Sequence, residues 1–117
     1  MGATNDARHW HVTLTLAGEP VEPVLLRAAL LRLSKERPFL DSMRFGRDSV
    51  ELQFWDQGEA MLDVASLALR LWDEHRDSAR LPRWEVVGLE VVEQSVRDHR
   101  RPEGTALGDT KLVPLTF

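Results

Sequence analysis

Hydrophobic and polar residues alternate along four segments of the chain, and a period of two is typical of half-buried β-strands. These segments span residues 10–16, 39–45, 49–55 and 84–92. Gly46, Arg47 and Asp48 separate the second segment from the third and supply suitable turn residues. The pattern therefore predicts four strands, the middle two of which form a hairpin.

Two other segments repeat their apolar residues at helical spacing. In residues 24–36 the residues that recur at this spacing are Leu26, Ala29, Leu30 and Leu33. In residues 59–78 the apolar stripe consists of Met61, Val64, Ala65, Ala68, Leu71 and Trp72. Pro23 suits the first turn of a helix and Pro38 suits its end, because proline lacks an amide hydrogen. We therefore expect two amphipathic helices.

The resulting order is strand, helix, strand, strand, helix, strand. Because each strand–helix–strand crossover must be right-handed, few topologies remain, and the split βαβ arrangement is the simplest. This predicts an α+β, two-layer domain of ferredoxin-like order, with a four-stranded antiparallel sheet and two helices on one face. The first strand lies between the fourth and the third, and the other face of the sheet, called the open face below, carries no helix.

The domain is expected to occupy residues 1–96, with a flexible N-terminus over 1–8. Beyond it, residues 97–117 form a polar C-terminal extension that we expect to be irregular. Trp55, Val86 and Val92 are assigned to the open face, which is then too apolar to stand alone in water. We therefore expect either a second copy of the chain or the C-terminal extension to cover it, and we predict a homodimer.

Composition narrows the function classes. The sequence contains no cysteine, which excludes disulfides, thiolate metal sites and cysteine nucleophiles. Its net charge of −4 arises from 15 basic and 19 acidic residues mixed along the chain, which argues against a nucleic-acid partner. No segment approaches the roughly 20 apolar residues of a membrane span. We expect a cytoplasmic protein with no membrane partner.

The polar residues predicted for the open face supply the candidate site. His11, Arg44, Glu51 and Trp55 are the candidate ligand-binding residues, since an imidazole, charged groups and an aromatic ring share that face. His9 and His11 point to the same side of one strand and are weak candidates for metal ligands. Neither glycine-rich phosphate-binding spacing nor another cofactor motif is present, so no cofactor is expected.

Two functional hypotheses follow, and fold class alone does not choose between them. The first is a non-catalytic interaction or regulatory module that self-associates through the open face. The second is a cofactor-independent small enzyme or small-molecule-binding protein with a pocket on that face. The lack of a catalytic motif favours the first hypothesis, although the sequence does not decide whether the domain is an enzyme.

Overall fold

The structure is a computed structural model that describes residues 8–94 and the backbone of 111–114. Its elements, in chain order, are β1 (His9–Ala17), α1 (Pro23–Glu36), β2 (Leu40–Phe45), β3 (Ser49–Gln57), α2 (Met61–Ala79), β4 (Glu85–Glu93) and β5 (Lys111–Pro114). The predicted βαββαβ order is confirmed. Each of the six predicted elements begins and ends within two residues of its predicted bounds.

The strands form one sheet in the order β4-β1-β3-β2-β5. The first four are antiparallel, and β1 lies between β4 and β3 as predicted. The fifth strand runs parallel to β2, with Ser42 opposite Lys111 and Phe45 opposite Pro114. The expectation of an irregular extension is therefore wrong for Lys111–Pro114. The rest of the extension, and residues 1–7 of the predicted flexible N-terminus, lie outside the described residues.

The hydrophobic core lies between the sheet and the two helices. Both predicted helical stripes contribute to it, and the buried helical residues are Leu26, Ala29, Leu30, Leu33, Val64, Ala68, Leu71, Trp72 and Ala79. The alternating strand residues that meet them include Val12, Leu14, Leu16, Val50, Leu52 and Phe54. Two predicted positions depart from this: Met61 begins α2 and is 51% exposed, and Ala65 is only partly buried. The ferredoxin-like packing thus follows directly from the two periodicities.

Two stacked tryptophans fix the connection from α2 to β4. The ring of Trp72 lies parallel to that of Trp84, with 6.1 Å between centroids. The indole of Trp72 donates to the carbonyl of Pro82, and that of Trp84 donates to the carbonyl of Glu19, each at 2.9 Å. Since Glu19 follows β1, these bonds hold the loop after β1 against the loop before β4.

A β-bulge in β4 changes the side of the sheet on which one predicted residue lies. The register shifts between Thr15 and Leu16, so that Gly88 faces Thr15 whereas Val86 faces Leu16. The extra residue, Val87, is 61% exposed. Val86 therefore packs against the core, and its assignment to the open face is wrong. A single inserted residue reverses the alternation on one side of the bulge.

Candidate functional site

The open face is arranged as rows of side chains that cross neighbouring strands. One row contains Val92, His11 and Trp55, because His11 is opposite both of the others. Four residues further along the strands, another row contains Thr15, Glu51 and Arg44. At about 3.3 Å per residue the two rows are separated by about 13 Å. All four candidate residues therefore share the predicted face, but they lie in two pairs.

The first pair is aromatic. The imidazole of His11 meets the ring of Trp55 edge to face, with centroids 5.0 Å apart and planes at 71°. His11 is only 4% exposed, although it lies on the sheet side without helices. Trp55 is half-buried, and its indole nitrogen is buried without a hydrogen-bond partner among the described residues. An indole N–H that lacks an acceptor is uncommon in a folded protein.

The second pair is ionic. Arg44 Nη1 lies 3.8 Å from Glu51 Oε1, and the same carboxylate oxygen accepts a 3.1 Å hydrogen bond from Gln53 Nε2. The side chain of Arg44 remains 49% exposed. A separation of 3.8 Å is too long for a hydrogen bond, and ion pairs this exposed contribute little to stability. The pair therefore leaves Arg44 available to another carboxylate.

In the part of the chain that is described, His9 and His11 do not form a metal site with other ligands. His9 Nε2 forms a 2.9 Å hydrogen bond with Gln57 Nε2, while the His11 ring contacts Trp55. Between residues 8 and 94 no group of three or more His, Cys, Asp or Glu side chains is placed to hold a metal ion. Two imidazoles without further ligands fall short of the usual coordination of zinc.

A second polar cluster, which the sequence analysis missed, joins the end of α1 to α2. Glu36 Oε1 lies 2.7 Å from His75 Nδ1 and accepts a 2.7 Å hydrogen bond from the Ser78 hydroxyl. Arg37 Nε donates to His75 Nε2 at 2.6 Å. Since Nε2 accepts a hydrogen bond, we assign the imidazole proton to Nδ1, which donates to Glu36. The hydrogen bonds from Ser78 and His75 lower the pKa of Glu36 below its ordinary value.

A cleft opens between the two layers beside this cluster. Its volume is about 170 Å³, and its lining residues are Arg37, Phe39, Phe54, Asp56, Leu67, Ala68, Leu71 and Glu74. A shallower hollow of about 320 Å³ adjoins it, shares Phe39 and Asp56, and is completed by His9, Trp55 and Gln57. Of the four candidate residues only Trp55 lines either depression. These two depressions of the described residues therefore do not bring the four candidates together.

Residues 9–108 match the family described as Domain of unknown function (DUF8830). The chain belongs to this family. No curated protein matches it. Among solved structures it is similar to the crystal structure of acylphosphatase from Bacillus subtilis, with 14% identity, 89% coverage of this chain, 98% coverage of that chain and a TM-score of 0.42. Neither helix of the described residues has the length and apolar character needed to cross a membrane.

At the start of β1, Arg8 of the DUF8830 domain bonds to Glu93 on β4 and to the carbonyl of Glu59 in the loop before α2. Its guanidinium forms two hydrogen bonds with Glu93, at 2.8 and 3.1 Å, and lies 4.5 Å from the centre of the Trp10 ring. The hydrogen bond from Arg8 lowers the pKa of Glu93. The indole of Trp10 in turn donates to the carbonyl of Gly58. These contacts secure the start of β1 near the hollow.

Proposed function

We propose that this domain is a non-catalytic interaction module that self-associates into a homodimer through its open face. The Arg44–Glu51 pair, which lies on the same face as the half-buried Trp55, is the observation that carries the proposal. The proposal includes the cytoplasmic location expected from the sequence.

The hydrogen bonding of the ionisable side chains supports a non-catalytic role. Both ring nitrogens of His75 are engaged, by Arg37 and by Glu36. His9 is engaged by Gln57. A general base needs a lone pair that can reach a substrate proton. In these two imidazoles the assigned contacts are structural, which favours a binding surface over a reaction centre.

The charges on the open face are self-complementary. Arg44 and Glu51 occupy neighbouring positions on β2 and β3. A two-fold axis that lies in the interface between these strands would bring Arg44 of one copy over Glu51 of the other, and the reverse. Two-fold interfaces use the same patch twice, so a patch with one cation beside one anion satisfies both copies.

The aromatic row adds the apolar part of the interface. Trp55 is the largest side chain on the open face, and tryptophan is enriched among residues that carry binding energy. A second copy would remove its exposed part from water, with Val92 and His11 beside it. Because the four candidates spread over two rows rather than around a pocket, they fit a flat partner better than a small ligand.

Charge exchange tests this interface. In the variant Arg44→Glu the two-fold axis would place like charges opposite each other, so we expect self-association to weaken by about tenfold or more. The double variant Arg44→Glu with Glu51→Arg restores both pairs and should restore the dimer. Arg47→Glu makes the same charge change in the exposed β2–β3 turn and serves as the matched control. Sedimentation velocity over a concentration series measures all four proteins.

Two results would overturn the proposal. A wild-type protein that remains a monomer at all concentrations removes the dimer. A dimer that Arg44→Glu and Arg47→Glu weaken equally places the interface elsewhere, because only Arg44 lies on the open face. Circular dichroism of each variant confirms that the fold is retained.

A further inference from the structure

The cleft between the helices and the sheet combines an apolar floor with charges of both signs. Phe54, Leu71 and Ala68 form buried walls. Phe39 and Leu67 line its mouth and are 44% and 50% exposed. Exposed apolar residues around a concave surface are typical of ligand sites. The cleft therefore offers a small molecule an apolar surface that is partly shielded from water.

The cation of the cleft is held in place and has donors to spare. Arg37 is oriented by its Nε–H bond to His75 and by Phe39, whose ring centre lies 5.4 Å from the guanidinium carbon. Its Nη2 is 3.6 Å from Glu74 Oε1, too far for a good hydrogen bond. Within residues 8–94 the terminal amino groups of Arg37 have no closer acceptor. A guanidinium fork with free donors suits a carboxylate.

The cleft also contains two carboxylates with free acceptor capacity. Asp56 uses Oδ1 for the backbone amide of Gln57, at 2.8 Å. Among the described residues Glu74 has only the long contact to Arg37. An ionised carboxylate can accept about four hydrogen bonds, so both can receive the N–H groups of an ammonium ion. With two anions and one cation the cleft complements a ligand that carries both charges.

We propose that this cleft binds a free apolar α-amino acid. The ligand carboxylate would lie on the Nη donors of Arg37, its ammonium group would lie on Asp56 and Glu74, and its side chain would pack on Phe54 and Leu71. The volume agrees with this, since an apolar cavity of about 150 Å³ accommodates benzene, and the cleft has about 170 Å³. A branched aliphatic side chain fits such a space, and a nucleotide does not.

His75 acts here as a positioning residue. It does not line the cleft, but it holds Arg37 through Nε2 and is itself held by Glu36. This arrangement fixes the guanidinium plane before a ligand arrives, which reduces the entropy lost on binding. The polar cluster at the end of α1 therefore orients Arg37 for ligand binding.

Calorimetric titration with four probes tests the proposal on the full chain. L-leucine carries both charges and the apolar side chain, and we expect it to bind at millimolar concentration or below. 4-Methylpentanoate lacks the ammonium group, 3-methylbutylamine lacks the carboxylate, and glycine lacks the side chain. Each should bind more weakly than leucine by about tenfold or more, since one charged hydrogen-bonded contact or the apolar contact is lost.

Variants locate the site. Glu74→Gln and Arg37→Gln should each weaken leucine binding by about tenfold. Asp73→Asn changes the neighbouring, 72% exposed carboxylate of α2 and should leave binding unchanged. If Arg37→Gln does not fold, as judged by circular dichroism, Glu74→Gln and Asp56→Asn decide the question.

Three outcomes would overturn the inference. The first is the absence of leucine binding at millimolar concentration. The second is binding of 3-methylbutylamine as tight as that of leucine, which would indicate a simple cation site. The third is leucine binding that Glu74→Gln and Asp56→Asn leave unaffected, which would place it outside the cleft.

Discussion

The tryptophans allow a direct test of the packing described above, because Trp72 and Trp55 differ in whether the indole N–H has an acceptor. Trp72 is 1% exposed, stacks on Trp84 and donates to the carbonyl of Pro82. Trp55 is half-buried, and its N–H finds no acceptor in the described part of the chain. Replacement by phenylalanine removes the same atoms at both positions.

The structure gives different magnitudes for the two replacements. Trp72→Phe removes the indole hydrogen bond to the Pro82 carbonyl, which keeps its bond from the backbone amide of Trp84, so the loss is about 1 kcal/mol. Weaker stacking on Trp84 adds about 1 kcal/mol. We therefore expect the free energy of unfolding to fall by about 2 kcal/mol. Trp55→Phe breaks no hydrogen bond, so its effect should stay within about 1 kcal/mol.

Urea denaturation followed by far-ultraviolet circular dichroism measures both variants against the wild type. The protein concentration should be low enough for a monomer, so that self-association through the open face does not contribute to the stability of Trp55→Phe. Equal m-values would show that the variants expose the same surface on unfolding. The reasoning is refuted if Trp55→Phe costs as much as Trp72→Phe, because then the indole hydrogen bond and the stacking do not decide stability.

Three other replacements test contacts of the described residues. Gly18→Ala should destabilise the fold by about 1–3 kcal/mol, because a β-carbon there would overlap Trp84 Cδ1. Gly88→Ala, whose β-carbon would lie 3.4 Å from its nearest neighbour, should change stability by less than about 0.5 kcal/mol in the same urea assay. Ser78→Ala should raise the pKa of Glu36 toward 4.5 in an NMR titration. Since a lowered folded-state pKa gives stability that is present above the unfolded value and lost on acidification, this variant should also lose less stability in acid than the wild type.

The chain belongs to a family of unknown function, so what the domain does must be inferred from its surface features. The candidate side chains of the open face are spread over separate rows. The cleft, in contrast, combines apolar walls with three charged side chains around a volume of about 170 Å³. Phe39 and Asp56 line the cleft and also the hollow beside Trp55, so the two regions are adjacent.

Local periodicity determined the elements and their faces. Alternation on β1 separates Leu14 from Thr13, and the same rule correctly puts Arg44, Glu51 and Trp55 on one side of the sheet. The helical stripes likewise identified the residues that α1 and α2 bury. These features could be predicted because a side chain's direction depends only on its position within its own element.

The tertiary structure decided which residues become neighbours across the sheet and between the layers. Val86 belongs to the core because a bulge opposite Thr15 and Leu16 adds one residue, and alternation along β4 contains no sign of it. The parallel pairing of Lys111–Pro114 with β2 is equally invisible to a local pattern. The contact of Arg37 with His75 joins residues 38 positions apart. Periodicity reports which way a side chain points, whereas neighbours distant in sequence are chosen by how the layers pack, and the cleft exists only once they have packed.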